Sequence, residues 1–371
     1  MSYILVSLAI VFLVLTVLVV SKLQSVLKGV KTSEGSDDSD EPAGNRWNGT
    51  MMILFLVFGT IGAVWSYLAA EVDFLPEASS VHGRRTDDLF WFSMSILTIA
   101  FFIVNFLIFY FAWKYQYKRG YKATFYADNH NLEIVWTVIP AIVMALLVFT
   151  GWRAWSDITS EAPKDAEVFE IMGKQFGWYV RYPGVDNNQL GNYNYKLIDS
   201  QNEMGIDLSD ENTFDDFISM SELHVPVGKP VLLKIRARDV LHSVFIPHMR
   251  VKMDAVPGMP TKFWFVPDKT TDAMRAELGN PNFDYEIACT EICGRGHFAM
   301  RLRLIVEDEA SYRKWCAEQK TFLETYPEYL AKVPDNLKPK AMKYIPEESL
   351  KEAITSTENT TSSVVGSASL R

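Results

Sequence analysis

The chain has 371 residues, 49% of them hydrophobic, and a formal net charge of −9. An acidic balance argues against a nucleic-acid partner, whose phosphates call for Lys and Arg, and the absence of any Cys-x-x-Cys-His run excludes a covalently attached c-type haem. Length and uneven placement of the apolar residues point to more than one structural unit.

The apolar residues are densest in the first 152 positions. Met1 to Ser21, Trp47 to Ala70, Leu89 to Trp113 and Ile134 to Trp152 each run without a formal charge. At about 1.5 Å per residue each is long enough to cross a hydrocarbon core of about 30 Å, so four transmembrane helices are predicted. Lys22, Lys28, Lys31 and Arg46 follow the first run, and Lys114, Lys118, Arg119 and Lys122 follow the third. Cytoplasmic loops carry the basic excess, which places both segments inside and residues 71–88 outside. The fourth helix then delivers everything from Arg153 onward to the outer face. The first run has no basic residues before it, so a retained helix is expected rather than a cleaved leader. The polar stretch 32–44 reads as a flexible cytoplasmic loop. The membrane part thus divides into 1–49, 50–88 and a helical hairpin at 89–161.

From residue 162 the texture changes to short runs of β-branched and aromatic residues alternating with polar ones, as in a β-sandwich or barrel. Strands are predicted at 167–172, 178–182, 222–225, 230–236, 243–246, 262–266, 285–288 and 300–306. An acidic insertion at 183–221 reads as solvated surface, and its acids, with Glu222, could offer a docking field for a basic partner. An amphipathic helix carrying Tyr312 and Trp315 is predicted from Asp308 to Lys320, closing a domain at 162–320. The remaining 321–371 segment is polar, ends in a Ser/Thr-rich run and reads as disordered.

The densest chemistry lies between the last two predicted strands. Cys289, Cys293, His297 and Met300 place two thiols, an imidazole and a thioether within twelve positions. Soft ligands in this company suit copper, and a loop clamped between strands holds them before a metal arrives. His242, at the start of a neighbouring strand, is the candidate anchor, in a cupredoxin-like arrangement. Two alternatives use the same residues: a disulfide, since the outer compartment is oxidising, and a tetrahedral Cys/His zinc site. Neither calls for Met300. His82, His130 and His224 read as ordinary surface or boundary residues, His248 as structural or interfacial, and Cys316 as a packed free thiol.

The run Cys-x-Glu-x-Cys-Gly-x-x-His-x-x-Met at 289–300, with His242-Ser243 and Pro247 upstream, resembles subunit II of the haem-copper cytochrome c oxidases. So do Lys252 to Gly258, Gly173 to Trp178, and Leu132 to Ala141, so that the likeness runs from about Leu89 to Lys320. The resemblance implies a membrane α-helical part joined to an all-β cupredoxin-like extracytoplasmic domain carrying a dinuclear copper A centre. Both thiolates would bridge the coppers; His242 and Met300 would complete one, His297 and the Glu291 carbonyl the other. The Glu291 carboxylate would hold a magnesium or manganese ion shared with subunit I. Phe176 occupies the position where the family has the tryptophan that admits electrons, with Trp178 two residues on, and Glu133 matches a carboxylate at a proton-channel mouth. Met259 stands where the family often has arginine.

The implied activity is that of a translocase subunit in a bacterial-type inner membrane, multi-pass, with its large domain periplasmic. It would take electrons from cytochrome c and pass them to the haem of subunit I, among lipid and the other oxidase subunits. No candidate helix carries His, so oxygen chemistry is expected on a partner. A copper A subunit of a nitric oxide reductase and a copper-free quinol oxidase subunit are the alternatives.

Overall fold

The computed structural model describes residues 45–118, 121–184 and 188–347, with the side chains of 71–73 excepted. The predicted span Met1–Ser21 and the loop at 32–44 lie outside them. Among the described residues three helices are long and apolar enough to cross a membrane: α1 (Asn45–Phe74), α2 (Val81–Lys114) and α3 (His130–Ile158). Each is longer than its uncharged run. The added turns are polar: α2, for instance, begins on Val81-His82-Gly83-Arg84-Arg85, before the apolar stretch at Leu89.

The described chain falls into two compact units, one of residues up to 69 with 99–129 and one of 70–98 with 130 onward. In the first, Phe55 packs on Phe109 with ring centroids 5.2 Å apart, and the Asn45 side chain donates to the Tyr117 carbonyl at 2.7 Å.

The second unit is built on two five-stranded sheets. Strands are β1 (Glu167–Lys174), β2 (Gly177–Tyr182), β3 (Phe217–Ser219), β4 (Glu222–Pro226), β5 (Val231–Ala237), β6 (His242–Ile246), β7 (Val251–Ala255), β8 (Thr261–Phe265), β9 (Tyr285–Cys289) and β10 (Arg301–Glu307). One sheet runs β3-β2-β1-β5-β8 and the other β4-β10-β9-β6-β7. The inner faces carry alternating apolar residues such as Phe169, Ile171, Val231, Leu233, Leu302 and Leu304, which form one buried core. Two strands escape the sequence pattern. β3 is only three residues long, and β7 is a five-residue strand that alternates Val251, Met253 and Ala255 with exposed Lys252 and Asp254 but is not among the predicted strands. Helix α4 (Thr271–Leu278) lies before β9, and α5 (Glu309–Ala317) places Tyr312 and Trp315 against the core as the amphipathic pattern predicts.

Residues 75–88, predicted as an outer loop, are strapped to this domain. The backbone N–H of Ser79 donates to the His248 carbonyl at 2.7 Å, and the Ser80 hydroxyl donates to the Met249 carbonyl at 2.8 Å. Arg250 forks onto Asp87 with both contacts at 2.8 Å, a geometry that fixes orientation as well as distance.

Two predicted solvated segments are folded. Residues 322–345 form short helical turns, including α6 (Phe322–Thr325) and α7 (Lys338–Ala341), and bury Phe322, Leu323, Tyr329, Val333, Ala341 and Ile345. Their partners are Met204, Ile206, Leu208 and Phe214 of the acidic insertion together with Met172 of β1. The prediction of disorder is corrected for 321–347; residues 348–371 lie outside the described part. A hydrophobic core assembled from two polar-looking segments about a hundred residues apart leaves no local pattern. The insertion's acids are also largely engaged. Asp216 is fully buried on Arg181, Asp215 is buried, and Asp207 and Asp210 cap their own turns. Asp199 accepts from Tyr329 at 2.5 Å and from Lys332 at 3.0 Å. Asp215 and Asp216 are therefore withdrawn from any docking field at these positions.

Candidate metal centre

Three strands converge at one end of the second sheet. His242 opens β6 opposite Ala255 of β7, Cys289 closes β9 opposite Val244 of β6, and Met300 precedes β10, whose Arg301 faces Ala288. The Cys289 N–H donates to the Met300 carbonyl at 3.1 Å, and the Thr290 N–H to the Ser243 carbonyl at 3.2 Å, so both loop ends are clamped by ladder bonds. Within the loop, a short 3-10 turn at His297–Ala299 carries the second imidazole. Gly294 adopts a φ of 129°, a conformation that side-chain-bearing residues rarely take.

The functional side chains meet in this corner. His242, Cys289 and Cys293 are all buried, with their ligand atoms within 4.8 Å of one another. The Cys289 and Cys293 sulfurs stand 3.9 Å apart, far beyond a disulfide bond of about 2.05 Å, and both thiols are free. His242 Nδ1 lies 3.9 Å from the Cys289 sulfur, and His297 Nδ1 lies 3.6 Å from that of Cys293. The Met300 thioether is 3.9 Å from Cys293 Sγ. The Glu291 carbonyl is 3.2 Å from Cys289 Sγ, while the residue itself is exposed.

The donor set fits a soft metal on the chemistry of these groups. Burial first, and then the neighbouring Cys289 thiol, push the Cys293 thiol up to about 11. Two protonated thiols packed together gain little; a bound cation inverts that balance and favours the thiolates. His242 is prepared for the same task. Its Nε2–H donates to Asp239 Oδ1 at 2.9 Å, which leaves Nδ1 with a lone pair on the Cys289 side. Burial would raise the Asp239 carboxyl, but hydrogen bonds from the Gln175 and Val240 N–H groups and from His242 hold it below its ordinary value.

Asp239 and Gln175 are contacts that sequence reasoning missed. Gln175 donates its backbone N–H to Asp239 Oδ2 at 2.8 Å and its side-chain amide to the Cys293 carbonyl at 2.5 Å, tying loop to strand. The Asp-x-x-His spacing at 239–242 was a local signal for the first; nothing local announced the second. Gly173 is the third. A methyl there would lie 2.8 Å from the His242 ring, so the imidazole occupies space that only glycine leaves open.

The two candidate aromatics separate clearly. Phe176 is 43% exposed, and its ring lies over the loop where side chains at Gly294 or Gly296 would collide with it. Trp178 is buried, its ring 6.0 Å from that of His242. Around the loop Ile292 and Phe298 are 84% and 80% exposed. Glu133 lies far along the chain in the first turn of α3, and Met259 is exposed beyond β7.

His224, His248 and the third thiol make structural contacts. His224, predicted as an ordinary boundary residue, stacks on Trp315 at 3.9 Å between Glu307 at 2.6 Å and Glu222 at 3.2 Å. His248 packs edge-on against Phe283 and Tyr285, and burial, then Arg250, lowers its basicity. Cys316 is a buried free thiol.

Comparison with known proteins assigns both parts of the chain. The family model for the transmembrane domain of cytochrome c oxidase subunit II matches residues 63–153, and that for its periplasmic domain matches residues 168–307. The alternative cytochrome c oxidase subunit 2 of Bradyrhizobium diazoefficiens is 33% identical over 273 residues, covering 72% of this chain and 92% of the relative. The cytochrome c oxidase subunit 2 of Thermostichus vulcanus is 27% identical over 264 residues, 65% of this chain and 77% of that one. The crystal structure of the periplasmic domain of subunit II of cytochrome oxidase from Bradyrhizobium japonicum aligns with a TM-score of 0.29 at 24% identity, over 42% of this chain and 95% of the other. With both family models matched in order and a relative covered over nearly its whole length, the chain belongs to the cytochrome c oxidase subunit II family.

Proposed function

We propose that this chain is the electron-accepting subunit of a respiratory oxidase in a bacterial-type inner membrane. A cytochrome c on the periplasmic side donates single electrons at the 289–300 loop, and a partner subunit I receives them at its haem for the reduction of oxygen to water, coupled to proton translocation. The observation that carries this reading is the cluster of two unbonded thiols, two imidazoles and a thioether, all buried except half-buried His297, on a membrane-anchored β domain.

Cys289, Cys293, His242, His297, Met300 and the Glu291 carbonyl would hold the copper centre. Bound there, the copper centre would supply one-electron chemistry. The chain's own part is to hold these donors in place. The strand ladders fix Cys289 and Met300, Asp239 orients His242, and Gln175 pins the Cys293 carbonyl. The Phe176 ring, exposed directly over the loop, is the proposed contact through which the donor's electron arrives; buried Trp178 serves as packing beside His242.

The exposed Glu291 carboxylate is proposed as a ligand for a magnesium or manganese ion at the boundary with subunit I, being the hard oxygen donor such ions prefer. Glu133, in the first turn of α3, is proposed as the carboxylate at the mouth of a proton channel leading to subunit I.

Oxygen and nitric oxide consumption by the purified complex, each with reduced cytochrome c and with a quinol, tests the assignment. Oxygen uptake driven by cytochrome c is expected. Turnover of nitric oxide alone, or activity with quinol alone, would replace it with one of the alternative assignments.

A further inference from the structure

Resting on the reading of the 289–300 loop as an electron centre, we propose that Glu203 of the acidic insertion is a positioning residue for it, holding together the two strand ends that orient His242 and pin the Cys293 carbonyl. Glu203 receives Lys174 Nζ on both carboxylate oxygens, at 2.9 and 2.8 Å, and also pairs with Arg238. These cations stand at the ends of β1 and β5, which lie side by side in parallel register with Gly173 opposite Ala237. The next residue along each strand makes a site contact. Gln175, after Lys174, reaches the Cys293 carbonyl and Asp239; Asp239, after Arg238, holds His242 Nε2.

Two like charges are thus brought together at the head of the site and bridged by one carboxylate, which offsets one of them. The Lys174, Arg238 and Glu203 side chains are only 31%, 24% and 21% exposed, so solvent screens the group incompletely. Without the carboxylate the cations repel, and the residues that follow them move with the backbone.

Glu203 is itself anchored. Neighbouring Asn202 donates to the Ile206 carbonyl at 2.9 Å and accepts from its N–H at 2.7 Å. The Met204 carbonyl accepts from Arg236 at 2.6 Å while its side chain lies in the second core. The insertion and the 322–345 segment therefore act as a rigid abutment. Groups that orient metal ligands from outside the ligand set are commonly worth about 10–100-fold in metal affinity. Glu203 acts one residue further out, which puts its effect near the lower bound, about tenfold.

The test compares the full chain in its oxidase complex with Glu203→Gln and with Glu211→Gln, which loses the pairing with Lys340 in the same lobe. In the metal-free protein, Glu203→Gln should speed hydrogen exchange at the Gln175 and Val240 amides, which donate to Asp239. In the loaded complex it should lose copper to a chelator about tenfold more readily. Glu211→Gln should do neither. Lys174→Met, which unties β1 from Glu203 but leaves the Glu203–Arg238 pair intact, should speed exchange at the Gln175 amide by less than Glu203→Gln does, and decides the matter if Glu203→Gln does not fold. Unchanged exchange at both amides, or an equal response to Glu211→Gln, overturns the brace. Accelerated exchange in a chain whose unmodified form takes up no copper would leave the brace standing and remove the electron-centre reading.

Discussion

Replacing Gly173 by alanine tests whether the seat of His242 is as tight as the structure shows. The new methyl would lie 2.8 Å from Cδ2, 2.9 Å from Cγ and 3.1 Å from Cβ of a fully buried imidazole. Carbon atoms pack at about 3.5–4.0 Å, so the ring or the strand must yield by roughly 0.7 Å or more. The ring has little room: Asp239 holds Nε2 at 2.9 Å, and Trp178 packs against it with centroids 6.0 Å apart. A shift of that size takes a 2.9 Å hydrogen bond past the range where it counts as one. Overpacking of this kind costs about 1–3 kcal/mol, and disturbing the orientation of a ligand adds about tenfold in metal affinity. Chemical denaturation of the full chain in detergent reads the first, and copper retention against a chelator the second. Gly177→Ala is the control, because a methyl there meets nothing within 4 Å. A Gly173→Ala chain as stable and as copper-retentive as Gly177→Ala would refute the reasoning.

Phe176→Ala should slow reduction of the complex by cytochrome c in stopped-flow while Phe176→Trp preserves it; equal rates for all three proteins would remove Phe176 from the path. Leu323→Ala, at a fully buried position in the second core, should destabilise that lobe by about 2–5 kcal/mol, read by protease resistance of residues 321–347. Asp199 is held well below the ordinary carboxylate range by hydrogen bonds from Tyr329 and the Asn202 N–H, with help from Lys332. A carboxyl depressed in the folded state contributes stability above its unfolded value of about 3.9 and loses it as pH falls. Proteolysis of the 321–347 segment should therefore be steady from neutral pH to about pH 5 and accelerate below about pH 4. Asp199→Asn should flatten that dependence. Glu291→Gln should leave copper content unchanged but abolish manganese binding, seen by electron paramagnetic resonance of the manganese-substituted complex; retained manganese would exclude the carboxylate as its ligand.

What could be read along the chain was whatever repeats locally. Uncharged runs announced three of the described helices, and alternation announced eight of the ten strands, because each signal lies within a few residues of itself. The candidate metal centre was legible because four possible donor residues share one loop and His242 sits at a recognisable strand start. The missed parts depend on distant partners. Phe322, Leu323 and Tyr329 look like scattered apolar residues in a polar tail until Met204, Ile206 and Phe214 are brought beside them. Asp216 reads as one acid in a solvated run, yet its partner Arg181 lies on β2, thirty-five residues earlier. Gly173 is unremarkable as a letter; only the buried His242 ring beside it explains why a side chain is excluded.

The most direct measurement is the electron paramagnetic resonance spectrum of the copper-loaded, full-length chain in its complex. The account predicts a hyperfine pattern from one unpaired electron shared equally between two copper nuclei, broken when either Cys289 or Cys293 is replaced by serine. A pattern from a single copper nucleus, or a folded 289–300 loop that retains only a redox-silent ion, would contradict it.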